Sequence, residues 1–313
     1  MKIDNFALTG WQKCPSWYNL RINQGWTTKY RSGALGFGGA FHEGLAVWYR
    51  THDINQALMA IKSSWPENLP TDDWRTLAKC VTVFTEYVRR YPSESFKIVG
   101  GLENPMIEVP FTLDTSMCLP VCKECGWDNG EYAISESHTC ANCRSPLEPI
   151  EYGGIFDGLV EFGGQIYVFE HKTASQMGAG YFNQFKPNNQ ITGYVWAGSQ
   201  LSGQRVNGAM INAIGLYKAS PTKFERSITS RSPAEIAEWM NYLWHEACAI
   251  DKHKRDGVWP FRTSSCTLYG RCEYHSVHTL SSELERERML EQDYKQEHWD
   301  YEQRTGTKEA EES

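Results

Sequence analysis

The sequence of 313 residues predicts an α/β fold in which a mixed central sheet is flanked by helices. Three observations predict it. Apolar residues recur at helical spacing through residues 72–91, and segment 106–113 alternates between apolar and polar residues as a strand does. Two strand-like segments then flank Gly163 and Gly164, a dipeptide typical of the turn in a hairpin.

The other elements of the first half follow from the same patterns. Phe41, Leu45 and Tyr49 repeat at helical spacing, which predicts a helix over 40–50. The segment 33–39 before it is punctuated by glycines and is interpreted as the entry to that helix. The remaining elements of this half are helices over 53–62 and 72–91 and a strand over 106–113.

The second half alternates strands and helices. Strands are predicted over 152–161, 165–171, 205–218 and 223–229, and helices over 188–201 and 233–252. Ser232 and Pro233 are typical first residues of a helix. From Ser281 onward charged residues recur at helical spacing, and the apolar residues form little of a stripe along one face. This pattern predicts a solvated helix that frays into a disordered tail.

An abrupt change of composition divides the chain. After Leu113 the sequence turns to Cys, Gly, Asn and Pro, and it recovers near Ile150. We therefore predict an insertion at 114–149 within one discontinuous domain. The predicted organisation is a domain of residues 1–113 and 150–280, the insertion 114–149 and an acidic tail 281–313.

The net charge of −7 is concentrated in the tail. Residues 281–313 carry 11 acidic and 5 basic residues, whereas residues 1–280 carry 27 and 26. A nearly neutral body neither supports nor forbids binding to nucleic acid. No segment approaches the roughly 18 apolar residues of a membrane span, and the first residues lack the apolar stretch of a secretion signal. These features predict a cytoplasmic protein that does not contact a membrane.

The insertion carries two Cys-x-x-Cys pairs separated by 14 residues, Cys122 with Cys125 and Cys140 with Cys143. Two such turns offer four thiolates, which is the spacing of a zinc ribbon with a closed, structural Zn²⁺ site. Free thiols or a redox pair are the alternative interpretation. Cys118 is left outside the pattern.

The strongest candidate for chemistry is Asp157, followed after twelve residues by Glu170, His171 and Lys172. Strand periodicity places Glu170 and Lys172 on one face and His171 on the other. A hairpin would bring Asp157 beside Glu170. Two carboxylates with a lysine suit a magnesium-dependent phosphodiester hydrolase, since carboxylate oxygens bind hard cations and the ammonium group lies near the attacking water. A solvated strand edge is the alternative.

Further short motifs accompany this pattern. They are Cys14 with Pro15 near the start, His42 in Gly39-Ala-Phe-His42-Glu43, Gln190 one helical turn before Tyr194, and Cys266 with Cys272 near the end of the body. Their order resembles the RecB-like branch of the PD-(D/E)XK nucleases, which includes the nuclease domains of RecB and AddB, the CRISPR adaptation nucleases and many stand-alone phage exonucleases. The resemblance runs from Thr9 to His278 without the ribbon, and it implies a restriction-endonuclease-like sheet.

The resemblance also implies roles for individual residues. The implied ligands of one or two Mg²⁺ or Mn²⁺ ions are His42, Asp157, Glu170 and the main-chain carbonyl of His171. Lys172 would orient or activate the water that attacks the phosphate. Glu108, in the strand before the aspartate motif, matches an acidic position of the family less firmly.

The same resemblance implies that Gln190 and Tyr194 steady the DNA strand near the scissile phosphate. Each of these positions has a plainer interpretation. Gln190 and Tyr194 would be polar residues on a helix surface, His42 a packed histidine at a helix border, and His171 a packing residue on the opposite face of its strand.

Many relatives in this branch carry a 4Fe-4S cluster that joins an N-terminal Cys-Pro to cysteines after the last helix. Cys14, Cys266 and Cys272 match three of those positions, while the expected fourth cysteine is absent and His278 is the candidate in its place. Another metal, or packed thiols without a metal, are the alternatives.

As a whole, the resemblance implies a Mg²⁺- or Mn²⁺-dependent DNA exonuclease that serves phage or prophage recombination, or DNA repair, alongside a single-strand annealing protein. One alternative is a CRISPR adaptation-type nuclease. The other is a non-catalytic DNA-binding or adaptor module on a nuclease scaffold.

Overall fold

The computed structural model describes residues 1–29, 32–67, 69, 72–101, 103–134, 138–268 and 270–300. The chain divides into two compact units. One unit combines Met1–Lys29, Pro110–Gly154 and the chain from Ala237 onward, and the other combines Tyr30–Val109 and Ile155–Ile236. We refer to them as the terminal unit and the central unit.

The described residues form strands and helices in alternation. The strands are β1 (Lys2–Asp4), β2 (Trp26–Thr28), β3 (Lys97–Ile98), β4 (Ile107–Cys118), β5 (Pro149–Phe162), β6 (Gln165–Ala174), β7 (Val206–Gly215), β8 (Lys223–Ser230) and β9 (Tyr294–Gln296). The α-helices are α1 (Asn5–Lys13), α2 (Pro15–Tyr18), α3 (Gly33–Thr51), α4 (Ile54–Ser63), α5 (Leu77–Arg90), α6 (Asn189–Ser202), α7 (Pro233–Asp256), α8 (His275–His278) and α9 (Glu283–Asp293). A π-helix covers Asn19–Asn23, and 3₁₀ helices cover Gly130–Ile134, Tyr181–Phe185 and Thr263–Ser265.

A mixed sheet forms the centre of the central unit. β5 pairs antiparallel with both β3 and β6, β6 runs parallel to β7, and β7 pairs antiparallel with β8. The parallel pair is joined through α6, as a crossover between parallel strands requires. The prediction of an α/β fold with a mixed sheet flanked by helices is confirmed.

The core of the central unit lies between this sheet and helices α3, α4 and α5. Phe41, Phe84 and Phe169 are buried in it. Gly44 permits the close approach of α3 to α4, because a Cβ atom there would lie 2.6 Å from Cδ1 of Ile61. This packing holds α3 in place against the sheet. It therefore also fixes the position of any α3 side chain that points toward β5.

Most element boundaries agree with the sequence patterns, but the starts of α3 and α5 and the end of β4 differ. α3 begins at Gly33 rather than at residue 40, with the Ser32 side chain accepting a hydrogen bond from the amide of Leu35. Glycine-rich sequence suggests a loop, but Gly33 is buried against Asp73, where a Cβ atom would lie 2.0 Å from Oδ2. α5 begins only at Leu77 because Thr76 caps it.

In the terminal unit, the end of the described chain packs more tightly than its sequence indicates. β9 pairs antiparallel with β2. Leu290 of α9 is buried, and the ring of Tyr294 stacks on Tyr274 at 5.5 Å between centroids. This arrangement differs from the solvated helix expected there, because the buried side chains of Leu290 on α9 and Tyr294 on β9 dock this end of the chain. The disordered end of the expected tail, residues 301–313, lies outside the described residues.

Of the predicted insertion 114–149, residues 114–118 continue β4 and Pro149 begins β5, so residues 119–148 lie between these two strands. The two strands pair with each other. The amide of Leu119 donates to the carbonyl of Glu148 at 2.8 Å, so the segment closes at its base. Its small interior contains little besides three cysteines, Ala133 and Leu147.

No helix among the described residues is both long and apolar enough to traverse a bilayer.

Candidate active site

The candidate site lies in the central unit where strands β5 and β6 stop pairing. The last paired residues are Gly158 and Phe169, so Asp157 and Glu170 occupy the next position on each strand. Both carboxylates are buried, at 8% and 3% exposure. The amide of His171 donates to Oδ2 of Asp157 at 2.6 Å and holds that carboxylate in place. The structure thus brings together the two acids that the sequence pattern paired.

Helix α3 adds His42 to this pair. Its Nδ1 lies 3.1 Å from Oδ1 of Asp157. Donor atoms of His42, Glu108 and Asp157 all lie within 4.8 Å of one another, a grouping that can hold a metal ion. Glu108 has a φ of +49°, a conformation that costs a residue with a side chain about 1–3 kcal/mol and persists only where the surroundings enforce it.

Lys172 lies beside the second carboxylate. Its Nζ donates to Oε1 of Glu170 at 2.7 Å and to Oε1 of Gln190 on α6 at 2.8 Å. The structure therefore joins Gln190 to the site through the lysine. Tyr194, one turn further along α6, is buried, and its ring packs edge-on against Phe156.

Electrostatics bind His42 and Asp157 into one unit. Burial alone would lower the pKa of His42, but the charge and hydrogen bond of Asp157, with Glu108 and Glu170 nearby, raise it to about 9. Burial opposes ionisation of Asp157, yet the His42 charge and hydrogen bonds hold its pKa well below the usual range. At neutral pH, without a cation, the pair is an imidazolium and a carboxylate.

The other two carboxyl groups are held near the point of ionisation. Burial, followed by the charge of Asp157, raises the pKa of Glu108 to about 8. Burial also raises the pKa of Glu170 to about 7, although the charge of Lys172 acts in the opposite direction. Glu108 and Glu170 are buried beside the negative charge of Asp157, so the charged form of each carboxyl group is disfavoured.

One atom of the site has no partner among the described residues. Oε2 of Glu170 is buried and accepts no hydrogen bond. A buried carboxylate oxygen without a donor is costly, and a cation at this place would remove the cost. Carboxylate oxygens with one imidazole are the donors that small divalent cations accept. The residues present therefore fit a divalent metal ion.

The four cysteines between β4 and β5 form a second group able to hold a metal ion. Sγ of Cys122 lies 3.6 Å from Sγ of Cys143, and Sγ of Cys125 lies 3.7 Å from Sγ of Cys140. Hydrogen bonds with Ser145 lower the pKa of Cys143 to about 6 and favour its thiolate. Thiolates about 3.8 Å apart match a tetrahedron with metal–sulfur bonds of about 2.3 Å.

The remaining cysteine set is arranged differently. Cys14 is buried with Cys272 packed near it, and Sγ of Cys14 accepts a hydrogen bond from the Arg262 amide at 3.3 Å. Nε2 of His278 hydrogen-bonds with the Ser16 hydroxyl at 2.9 Å. Within the described part of the chain, Cys14, Cys266, Cys272 and His278 do not converge as the other two groups do. The iron–sulfur cluster stays a prediction.

A family model for the PD-(D/E)XK nuclease superfamily matches residues 7–277 of the sequence. The chain belongs to the PD-(D/E)XK nuclease superfamily. The match covers most of the chain and contains His42, Glu108, Asp157, Glu170, Lys172 and Gln190.

Among solved structures, the nuclease is similar to a crystal structure from Eubacterium rectale described as "Putative exonuclease". The two chains share 12% sequence identity over 88% of each chain, with a TM-score of 0.50. At this identity the likeness shows a common fold. No curated protein sequence matches the nuclease.

A buried polar network behind the site was not predicted. Nδ2 of Asn212 contacts Nδ1 of His171 at 2.9 Å, and Nε of Arg226 donates to Oδ1 of Asn212 at 3.0 Å. The guanidinium group of Arg226 also forms an ion pair with Glu94. The network supports the His171 side chain and, through the backbone of β6, the amide that holds Asp157. The alternating charges of β8 gave no sign that one of them was buried.

Proposed function

We propose that this nuclease is a Mg²⁺- or Mn²⁺-dependent DNA exonuclease. The observation that carries the proposal is the buried cluster in which Asp157, Glu170 and Lys172 converge at the end of β5 and β6, with an oxygen of Glu170 left without a donor. Buried acids at this density serve no packing purpose. They match the chemistry that a divalent cation needs at a phosphodiester bond.

The residues that would hold the cation are His42, Asp157, Glu170 and the main-chain carbonyl of His171, with Glu108 as a further acidic neighbour. When bound, the cation supplies positive charge that stabilises the negative charge built up on the phosphate during in-line attack. The protein contributes the fixed geometry. The His171 amide and the packing of α3 keep the carboxylate of Asp157 and the ring of His42 in one orientation.

Lys172 acts as a cation in this mechanism. Burial works against its charge, but the neighbouring Glu170 carboxylate prevails and raises the pKa of the ammonium group above its usual value. It therefore cannot take a proton at neutral pH. Its role is to orient the attacking water and to stabilise charge on the phosphate.

Gln190 completes the arrangement. Its Oε1 accepts from Lys172, which fixes the amide so that its NH₂ group can donate to a phosphate oxygen of the DNA strand. Tyr194 supports the same helix face in this proposal. The exonuclease assignment, the partnership with a single-strand annealing protein and the place in phage recombination or DNA repair rest on the motif order described above.

The test is cleavage of end-labelled linear DNA, single- and double-stranded, beside a covalently closed circle with Mg²⁺ or Mn²⁺. Loss of the linear substrates alone, and only with metal, is the expected result, and the label gives the polarity. Cleavage of the circle at the same rate would replace the exonuclease with an endonuclease. Binding without any cleavage by metal-replete protein would favour the non-catalytic module.

Metal binding should release protons, because donors that are protonated without the cation must give up their protons to bind it. His42, Glu108 and Glu170, with pKa values of about 9, 8 and 7, are wholly or partly protonated at pH 7. Affinity for Mn²⁺ should therefore rise as pH rises from 6 to 9, by about tenfold per pH unit for each proton released.

Calorimetric titration of Mn²⁺ in buffers of different ionisation enthalpy measures both the affinity and the protons released. Glu108→Gln removes one titrating group, so its affinity should depend less steeply on pH. A Mn²⁺ affinity that stays constant between pH 6 and 8 in the unaltered protein would contradict this account.

We further propose that the four cysteines of the inserted segment bind Zn²⁺ as a closed structural site. The segment has too small an interior to fold alone, so the metal supplies much of its stability. Cys122→Ser should abolish zinc binding, measured by elemental analysis, and remove hydrogen-exchange protection from the segment. DNA cleavage should fall less than tenfold. A zinc-free Cys122→Ser protein whose segment keeps its protection would refute the structural role.

A further inference from the structure

A second set of positive charges lies on helix α5, away from the carboxylates. Lys79, Arg89 and Arg90 line a cavity of about 430 Å³, in which Glu86 is the acidic neighbour. Within the described residues none of the three cations has a carboxylate oxygen within 4.0 Å. The hydroxyl of Thr222, also on the cavity wall, is buried without a hydrogen-bond partner. Unpaired cations beside an unsatisfied hydroxyl are the features of an anion site.

A further cavity of about 540 Å³ has Arg75, just before α5, and Lys172 of the candidate active site on the same wall. Its wall includes Lys172, Gln190, Tyr181 and Arg75. Arg75 precedes Lys79 by four residues, at the point where α5 begins. The connection between β7 and β8 contributes to both cavities. The two cavities are therefore lined by residues that extend from just before α5 to its last turn.

The strand register places both cavities at the end of the sheet where β7 ends and β8 begins. Lys172 lies opposite Ala213 of β7, and Ala213 lies opposite Glu225 of β8. Lys223, two residues before Glu225, begins β8 at that end of the sheet. Since neighbouring strands lie about 4.8 Å apart, β8 is about 10 Å across the sheet from Lys172.

We propose that Arg75, Lys79, Arg89 and Arg90 form a binding track for the phosphates of the DNA strand that continues beyond the scissile bond. The inference rests on the proposed function. From Lys79 to Arg90 the helix rises about 16 Å, which is the length of four to five nucleotides at about 3.4 Å each. Across the part of the chain that the structure describes, no carboxylate pairs with Lys79, Arg89 or Arg90, so their charge is available to phosphates. These residues position the substrate and do not contact the reacting atoms.

The test is the paired variant Arg89→Gln/Arg90→Gln, assayed on a labelled 30-nucleotide strand. Loss of two phosphate contacts to a single strand should raise KM roughly 20-fold at 0.1 M salt and change kcat less than twofold. The slope of log(kcat/KM) against log[salt] should become shallower by about 1.4. Both arginines are exposed, so the variant should fold normally, which circular dichroism checks.

Two further variants test whether the effect on KM is specific to the cations of α5. Glu86→Gln removes the acid from the cavity and should lower KM. Lys252→Gln/Arg255→Gln removes two cations of α7 that pair with Asp256 and Asp251, and it should leave KM and the salt slope unchanged. Equal effects of the α5 and α7 variants, or no change in KM for the α5 pair, would overturn the track. If the unaltered protein neither binds nor cleaves the strand, the proposed function itself fails.

Discussion

Replacing Lys172 with alanine is expected to lower the rate of DNA cleavage by about 100- to 1,000-fold, which is the cost of removing one pre-organised charge-stabilising donor. The ammonium group is held by Glu170 and Gln190 at 2.7 and 2.8 Å, so no neighbouring side chain can take its place without moving. Folding and DNA binding should change little, because Lys172 lies at the edge of the core. The measurement is single-turnover cleavage at saturating metal.

The matched control is Lys252→Ala, which removes an exposed lysine from α7 and should leave the rate within twofold. Thermal unfolding of both variants separates loss of chemistry from loss of structure. A Lys172→Ala protein that retains cleavage within tenfold of the unaltered rate would contradict the role assigned to the lysine.

Replacing Glu94 with alanine is expected to lower the free energy of unfolding by about 1.5–3 kcal/mol, the range for hydrogen bonds to charged groups, because its ion pair with Arg226 is partly buried. Oε2 of Glu94 lies 2.5 Å from Arg226, and its Oε1 accepts from Tyr49 and Arg226. Without Glu94 the half-buried guanidinium group still packs against the rings of Tyr87, Tyr91 and Phe96, but it has lost the carboxylate that offsets its charge. Urea denaturation measures the loss.

The double variant Glu94→Leu/Arg226→Leu provides the comparison. It removes both charges, so it should recover at least half of the stability lost in Glu94→Ala, since apolar replacement of a buried pair is often close to neutral. If Glu94→Ala costs less than about 1 kcal/mol, the network is not a source of stability. If the double variant is less stable than the single one, the loss in Glu94→Ala does not come from an uncompensated charge on Arg226.

The sequence was sufficient for the fold class and for the grouping of Asp157, Glu170 and Lys172, because period-two alternation and a glycine turn fix which strand residues face one another. It also indicated that His42 and Gln190 belong on helices, although only the packing of α3 and α6 shows which atoms they reach. Glu108 matched weakly because its approach depends on an unusual backbone conformation that no residue pattern encodes.

Burial explains most of what the sequence missed. Arg226 belongs to a strand whose side chains alternate between exposed and half-buried, so its charge suggests solvent. Its partner Glu94 lies in a loop more than a hundred residues earlier in the chain. Leu290 and Tyr294 were hidden in the same way, since two apolar residues among many charges give no stripe. Long-range pairing of this kind becomes visible only once the fold brings the residues together.

The closure of the inserted segment at Leu119 and Glu148 bears on how this chain could change over evolutionary time. Its two ends are already joined by one hydrogen bond at the base of a strand pair. Any segment whose own termini meet could therefore occupy this position at a small entropic cost, without displacing the strands that carry Asp157 and Glu170.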